Sequence, residues 1–405
     1  MKLVRLTTRA GLGKVLGAIG RRWSLGDYIE RVRPIVAEVE ARGYPAVMDY
    51  SLKLDGVAYE DPLVSRDEVH LYEEPLDYGL LEAIERVVDR VKSYHRATMP
   101  STSGVKGARL TWRPVDRVAI YVPGGRNPYP STAIMTVAPA SVAGVRGIHV
   151  LTPPRRGRLK ADPAVVVAAF KSGASGVYAV GGPHAVAGVA YGTIPLPRVD
   201  LVVGPGGPYV QAAKALVHGV VGIDMIAGPT ELFIIASGVE PGRVALEALA
   251  QAEHGPSSTV VIASPDQDLL DRVEASLAGM GYGGWMAPIF LVETSSIEEA
   301  ADLASLYAPE HLQILAPEPD RIAGMVRSAG AVSLGVPTAY LDYAAGPSHV
   351  LPTSGAARWR GGLSVYDFLK PVSMVDAVDE DLVSAARVLA EYEGFKMHLR
   401  SLGGR

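Results

Sequence analysis

Gln251 and His254 stand three apart in Leu249-Ala250-Gln251-Ala252-Glu253-His254-Gly255-Pro256. The run forms a helix readily, Gly-Pro stops it, and residues three apart leave one face. The pair predicts an amide oxygen and an imidazole meeting in the last turn of a helix over 242–254. Two donors make half of a metal site, and a polar helix end in solvent is the plain alternative. Other suitable groups follow. Glu310 and His311 lie in Tyr307-Ala308-Pro309-Glu310-His311-Leu312, just before a predicted strand. Asp342 and His349 lie in Leu341-Asp342-Tyr343-Ala344-Ala345-Gly346-Pro347-Ser348-His349-Val350-Leu351-Pro352, and Glu393 and His398 on a predicted terminal helix. Singly, each reads as a turn former, a cap or a surface group. Together they offer neutral nitrogens, carboxylates and an amide oxygen without sulfur, which suits zinc or another first-row divalent ion. Glu310 beside His311 also puts a base and an acid close together.

None of the 405 residues is cysteine. That excludes a thiolate zinc site, a catalytic thiol and a disulfide framework, and it fits a reducing compartment, with the cytoplasm expected. The net charge of −4 comes from mixed acidic and basic residues, so no nucleic-acid surface is expected. No apolar run is long enough to predict a membrane span. Lys2, Arg5 and Arg9 precede a glycine-containing stretch broken by Lys14. It reads as a mature N-terminal arm rather than a signal peptide. A chain this long needs no metal to stabilise its core, so a metal would serve function.

The positioning elements read as α/β. Ser24–Tyr44 predicts an amphipathic helix with Ser24 as a cap, and Leu76–His95 a longer one. From Val118 onward short β-branched runs alternate with helices: 118–122, 148–151, 176–180 and 199–203, with helices at 131–142, 163–172, 185–191 and 209–218. A second series has strands at 232–236, 259–263, 289–292, 312–315 and 331–334, with helices near 242–254, 266–279, 296–307 and 318–328. Two tandem parallel-sheet units follow, with the break near Ala227-Gly228-Pro229. Asp379–Leu402 predicts a final helix after a connecting stretch, Trp359–Val375. Ligands bind beyond the carboxyl ends of strands in such sheets. The loops Val122-Pro123-Gly124-Gly125, Val180-Gly181-Gly182-Pro183-His184 and Val203-Gly204-Pro205-Gly206-Gly207-Pro208 are therefore of interest. Their glycines admit a ligand closely, and the helix starts behind them favour an anion such as a pyrophosphate. None matches G-x-G-x-x-G, and nucleotide binding and ordinary loop glycines both remain open.

The motifs YVPGG, AGPTE, QAEHG, YAPEH, LDYAAGPSHVLPT and RGGLSVYDF, spread over nearly the whole chain, resemble the histidinol dehydrogenase family. The resemblance implies oxidation of L-histidinol to L-histidine through the aldehyde, with two NAD and one zinc per site. It implies zinc on Gln251, His254, Asp342 and His398, with Glu310 and His311 as the acid/base pair. These four ligands and His311 would also meet substrate, together with Thr230, His349 and Glu393. On the NAD side it implies Tyr121, His184 and Gly207. This chain has Thr230 where the family usually has Ser, His184 where it has Gln, and Gly207 where it has Asn. Ala345-Gly346-Pro347-Ser348 stands for a usual Ser-Gly-Thr-Asn. The fold implied is two incomplete Rossmann-like domains with small terminal helical segments, in a homodimer whose C-terminal segment crosses to the partner. The expected division is an arm at 1–15, a discontinuous catalytic and zinc domain at 16–120 and 230–358, an NAD-side domain at 121–229, and an exchanged segment at 359–405. A zinc hydrolase with Glu310 as base, or a repurposed paralogue, are the competing classes.

Overall fold

The computed structural model describes residues 3–20, 24–124, 127–193, 195–284 and 286–403. Lys2 and Gly125 lie outside them. Val118 and Ile120 bury on one face of a sheet while Ala119 and Tyr121 bury on the other. A strand covered on both faces must be apolar throughout, which explains its unbroken pattern. Its six-stranded sheet runs Leu63–Val64, Gly176–Ala179, Gly147–Thr152, Arg117–Tyr121, Leu201–Val203, Gly222–Ile223. All neighbours are parallel except the first pair. The order reverses beside Arg117–Tyr121, which opens a crevice beyond the carboxyl ends of that strand and Leu201–Val203.

A second six-stranded sheet, parallel throughout, runs Leu3–Thr7, Ile289–Glu293, Thr259–Ser264, Glu231–Ala236, His311–Leu315, Ala331–Leu334. It has the same reversal and its own two cores. The expected tandem α/β alternation is present, and the expected break falls between Ile223 and Glu231.

Several expectations are corrected. The N-terminal arm is an edge strand, Leu3–Thr7, followed by the helix Leu12–Ile19, whose Val15 and Ile19 enter the second sheet's core. Arg5 had masked it; its guanidinium lies outside on Asp271 and Glu274. Residues 26–97 do not join 230–358. Their helices Gly26–Arg42, Tyr44–Leu54 and Tyr78–Ala97 pack on helices of the first sheet. Ser24 does not cap: the helix begins at Gly26, and Gly43 at φ +69° divides it from the next. The stretch before the terminal helix holds a strand, Leu369–Val375, antiparallel to Ala108–Pro114, which in turn pairs with Ser103–Val105. The terminal helix is two helices, Glu380–Tyr392 and Lys396–Ser401, because Gly394 at φ +78° breaks it. Glu393 and His398 therefore do not share a helix.

The crevice loop at Gly204 is held from inside. Lys214, fully buried, donates to the Gly204 carbonyl at 2.8 Å and pairs with Asp224, whose Oδ2 accepts the Gly204 N–H at 2.8 Å. Gly204 has φ +112°, and a Cβ there would run into the Tyr121 carbonyl oxygen. Removing one partner of a buried ion pair leaves the other charge uncompensated. Lys214→Met should therefore destabilise the protein by about 3–5 kcal/mol in urea unfolding; a change within about 0.5 kcal/mol, the scatter of surface substitutions, would contradict this clamp.

Candidate active site

A cavity of about 300 Å³ opens between the two sheets. Pro123, Pro205 and Gly206 reach it from the carboxyl ends of first-sheet strands. The opposite wall differs from expectation. Thr230, Glu310 and His311 reach it from the amino ends of Glu231–Ala236 and His311–Leu315. Gln251 and Asp342 come from the far ends of helices Pro241–Ala252 and Thr338–Tyr343, which return the chain toward that edge. The rule that ligands sit beyond the carboxyl ends of strands thus holds for one wall only.

Glu310 is buried, and its Oε2 accepts the Thr230 hydroxyl and, at 2.9 Å, the Glu231 N–H. Those donors favour the carboxylate, but desolvation outweighs them and pushes the carboxyl up to about 8. Having given its proton to Glu310, the Thr230 hydroxyl accepts from Gln251 Nε2. That leaves the Gln251 oxygen as the acceptor end of the amide.

His311 is buried, with Nε2 3.4 Å from Asp342 Oδ1 and Nδ1 without a hydrogen-bond partner among the described residues. Burial, then His349 and His254, push its imidazole down to about 3, while burial pushes Asp342 up to about 7. Both groups are thus driven toward their neutral forms by loss of water. Asp342 Oδ1 is buried without a hydrogen-bond partner among the described residues. His349 has both nitrogens engaged: Nδ1 2.8 Å from the Asp342 carbonyl and Nε2 3.1 Å from Thr132 Oγ1. A carbonyl only accepts, so Nδ1 carries the proton and Nε2 accepts from Thr132.

His254 lies past the end of the helix, which stops at Ala252, rather than in its last turn. Its N–H still bonds the Gln251 carbonyl at 3.3 Å, and its ring lines the mouth of the cavity. Burial lowers its pKa. Glu393 and His398 are exposed on the C-terminal hairpin and do not line the cavity. Among the described residues no group of three His, Cys, Asp or Glu clusters as a metal site. Of the four residues considered, one is an amide and one lies on that hairpin, so His254 and Asp342 alone remain.

The three residues expected on an NAD side stand back from the cavity. Tyr121 is buried, its hydroxyl accepts the Gly182 N–H at 3.1 Å, and burial pushes it up to about 12. His184 is fully buried against the helix Tyr44–Leu54, with Nε2 3.0 Å from Ser51 Oγ, its ring stacked on Tyr50, and its pKa pushed down to about 4 by burial. Gly207 precedes the helix Pro208–Val217 with open space where a Cβ would stand. Thr132 went unnoticed in the sequence. Its signal was a hydroxyl two residues into the helix that follows the YVPGG loop.

A histidinol dehydrogenase family profile matches residues 21–405. The chain belongs to that family. Histidinol dehydrogenase from Thermus thermophilus is 44% identical over 398 residues, covering 92% of this chain and 93% of that protein. The enzyme from Sulfolobus acidocaldarius is 40% identical over 382 residues, covering 92% and 94%. The crystal structure of histidinol dehydrogenase from Elizabethkingia anophelis matches with a TM-score of 0.91 at 27% identity, covering 100% of this chain and 97% of that one. The fold expected of the family, α/β with parallel-sheet domains, is the fold observed.

Thr230 is the hinge of this wall. Thr230→Ser should leave stability unchanged, because the hydroxyl remains. Thr230→Val leaves Glu310 Oε2 with the Glu231 N–H alone and takes the acceptor from Gln251 Nε2, and should cost about 1–3 kcal/mol by chemical denaturation. Equal stability of the two variants would refute the bridging role.

Proposed function

We propose that the chain oxidises L-histidinol to L-histidine through L-histidinaldehyde, with two NAD and one zinc ion per site, as an enzyme of the cytoplasm. The observation that carries this reading is the meeting of Glu310 and His311 with Gln251, His254 and Asp342 in one cavity of a chain of this family. The donors fit zinc: an imidazole, an amide oxygen, and a carboxylate oxygen that is buried without a hydrogen-bond partner among the described residues. Helix carboxyl ends at Gln251 and Asp342 add negative partial charge, which favours a cation.

Zinc when bound would anchor the substrate's imidazole and amine, and NAD would accept the hydride. His311, kept neutral by burial, takes the alcohol proton at a ring nitrogen. Glu310, with Oε2 occupied by Thr230 and Glu231, takes a proton from the water that attacks the aldehyde. The resulting hydrate then gives its hydride to the second NAD while one hydroxyl proton leaves to solvent, forming the carboxylic acid. His349, braced between Thr132 and the Asp342 backbone, forms the floor beneath the substrate. Tyr121 supports the NAD side by fixing the Gly182 turn, while His184 and Gly207 act there through loop shape.

The remaining groups, His398 as fourth zinc ligand and Glu393 as a substrate contact, would come from a second copy of the chain. Supporting this, the hairpin packs chiefly on itself and exposes Val388, Leu389, Tyr392 and Phe395, an apolar surface suited to a homodimer interface. No described helix is long and apolar enough to cross a membrane.

With zinc, L-histidinol and NAD, two NADH should appear per histidinol consumed; one or none overturns the four-electron reading. Glu310→Gln should slow aldehyde oxidation by about 10²–10⁴-fold while sparing alcohol oxidation; equal loss in both halves sinks that role. Ionised Glu310 is the active form, so aldehyde oxidation should rise with pH up to about 8, earlier where a cation stabilises the carboxylate. Glu310→Gln should erase that limb. Mixing Glu310→Gln and His398→Asn chains, each deficient in aldehyde oxidation, should restore histidine formation, since each hybrid dimer holds one intact site. No recovery would place His398 in its own chain's site.

A further inference from the structure

Glu247 is buried on the helix Pro241–Ala252, and no step of the proposed chemistry uses it. Its Oε2 accepts both the backbone N–H and the hydroxyl of Thr338, each at 3.1 Å. Thr338 opens the helix Thr338–Tyr343, whose own cap position, Pro337, offers no side-chain acceptor. Glu247 thus caps this helix from another one.

The spacing on the two helices matches. Gln251 lies four residues after Glu247, and Asp342 four residues after Thr338. Four residues advance an α-helix about 6 Å and return to nearly the same face. Both helices run from the carboxyl end of a strand, Ala236 or Leu334, back toward the amino edge. One turn beyond the Glu247–Thr338 contact, each helix therefore presents its donor to the cavity. A helix of six residues cannot hold its own geometry in isolation. Of this one, only Thr338 and Leu341 are buried. The turn before it is tied to the same scaffold, Arg243 donating to the Gly335 carbonyl and Gln313 Nε2 to the Val336 carbonyl at 2.9 Å.

We infer that Glu247 and Thr338 form a rung that sets the separation of Gln251 and Asp342, so that Glu247 is a positioning residue for the cation site. This rests on Gln251 and Asp342 being metal donors. Loss of such supporting contacts costs about 10–100-fold in metal affinity. In the full-length protein, zinc affinity read by competition with a chromophoric chelator should fall by about that factor for Glu247→Gln. Thr338→Val should also bind zinc more weakly, and Thr338→Ser should bind it as wild type does. Excess zinc should return much of the lost kcat in both weakened variants. A purely structural contact would lower Tm and leave zinc affinity unchanged, and that result overturns the inference. Asp342→Asn is the parallel control. If it binds zinc as tightly as wild type, the ligand assignment fails. If it weakens binding while Glu247→Gln and Thr338→Val do not, the rung alone fails. Should Glu247→Gln not fold, Thr338→Val, which keeps the backbone hydrogen bond, decides.

Discussion

A hydroxyl has one proton to give. At Thr230 that proton goes to Glu310, so the same oxygen must accept from Gln251. The order of donation decides which end of the Gln251 amide meets the cavity. Reversing it would turn an N–H₂ toward the proposed cation site. Glu310 and Gln251, the proposed acid/base group and amide donor, are therefore held by one atom, whose residue lies one before a central strand of the second sheet.

Around that atom the two sheets meet end to end in opposite senses. One wall holds helix starts, following Pro123 and Pro205, the other helix finishes, at Gln251 and Asp342. Helix starts carry positive partial charge and finishes negative. One small cavity can thus meet an anionic cofactor on one side and a cation on the other without a concentration of charged side chains. Exclusion of water reinforces the division, since it weakens carboxylate and imidazole ionisation alike, as at Glu310, Asp342 and His311.

Much of this was legible in the chain because parallel strands buried on both faces leave unbroken apolar runs, such as Val118–Val122 and Leu232–Ala236. The motifs around Gln251, Glu310 and Asp342 marked one cavity wall. What escaped was non-local. Leu3–Thr7 has a charge in its middle and a partner far along the chain, so no local pattern announces it. The grouping of 26–97 with the first sheet depends on helix packing between distant elements. His184 was expected on the NAD side by position alone; the structure shows an imidazole turned inward to Ser51, a choice made by tertiary packing. Gly394 was visible as a residue, but only its left-handed backbone shows that the terminal helix is broken there.

The edge strand Leu3–Thr7 also bears on how the chain is made. Its neighbour Ile289–Glu293 is made some 286 residues after it. At about 5–20 residues per second that is a wait of roughly 15 to 60 s. Through that interval the first sheet can close around Arg117–Tyr121, while Leu3–Thr7 stays unpaired. Pairings of such sequence separation are slow to form and open to aggregation. Arg5 and Arg9, pointing outward with Lys14 nearby, give the waiting segment a charge that discourages pairing with another nascent chain.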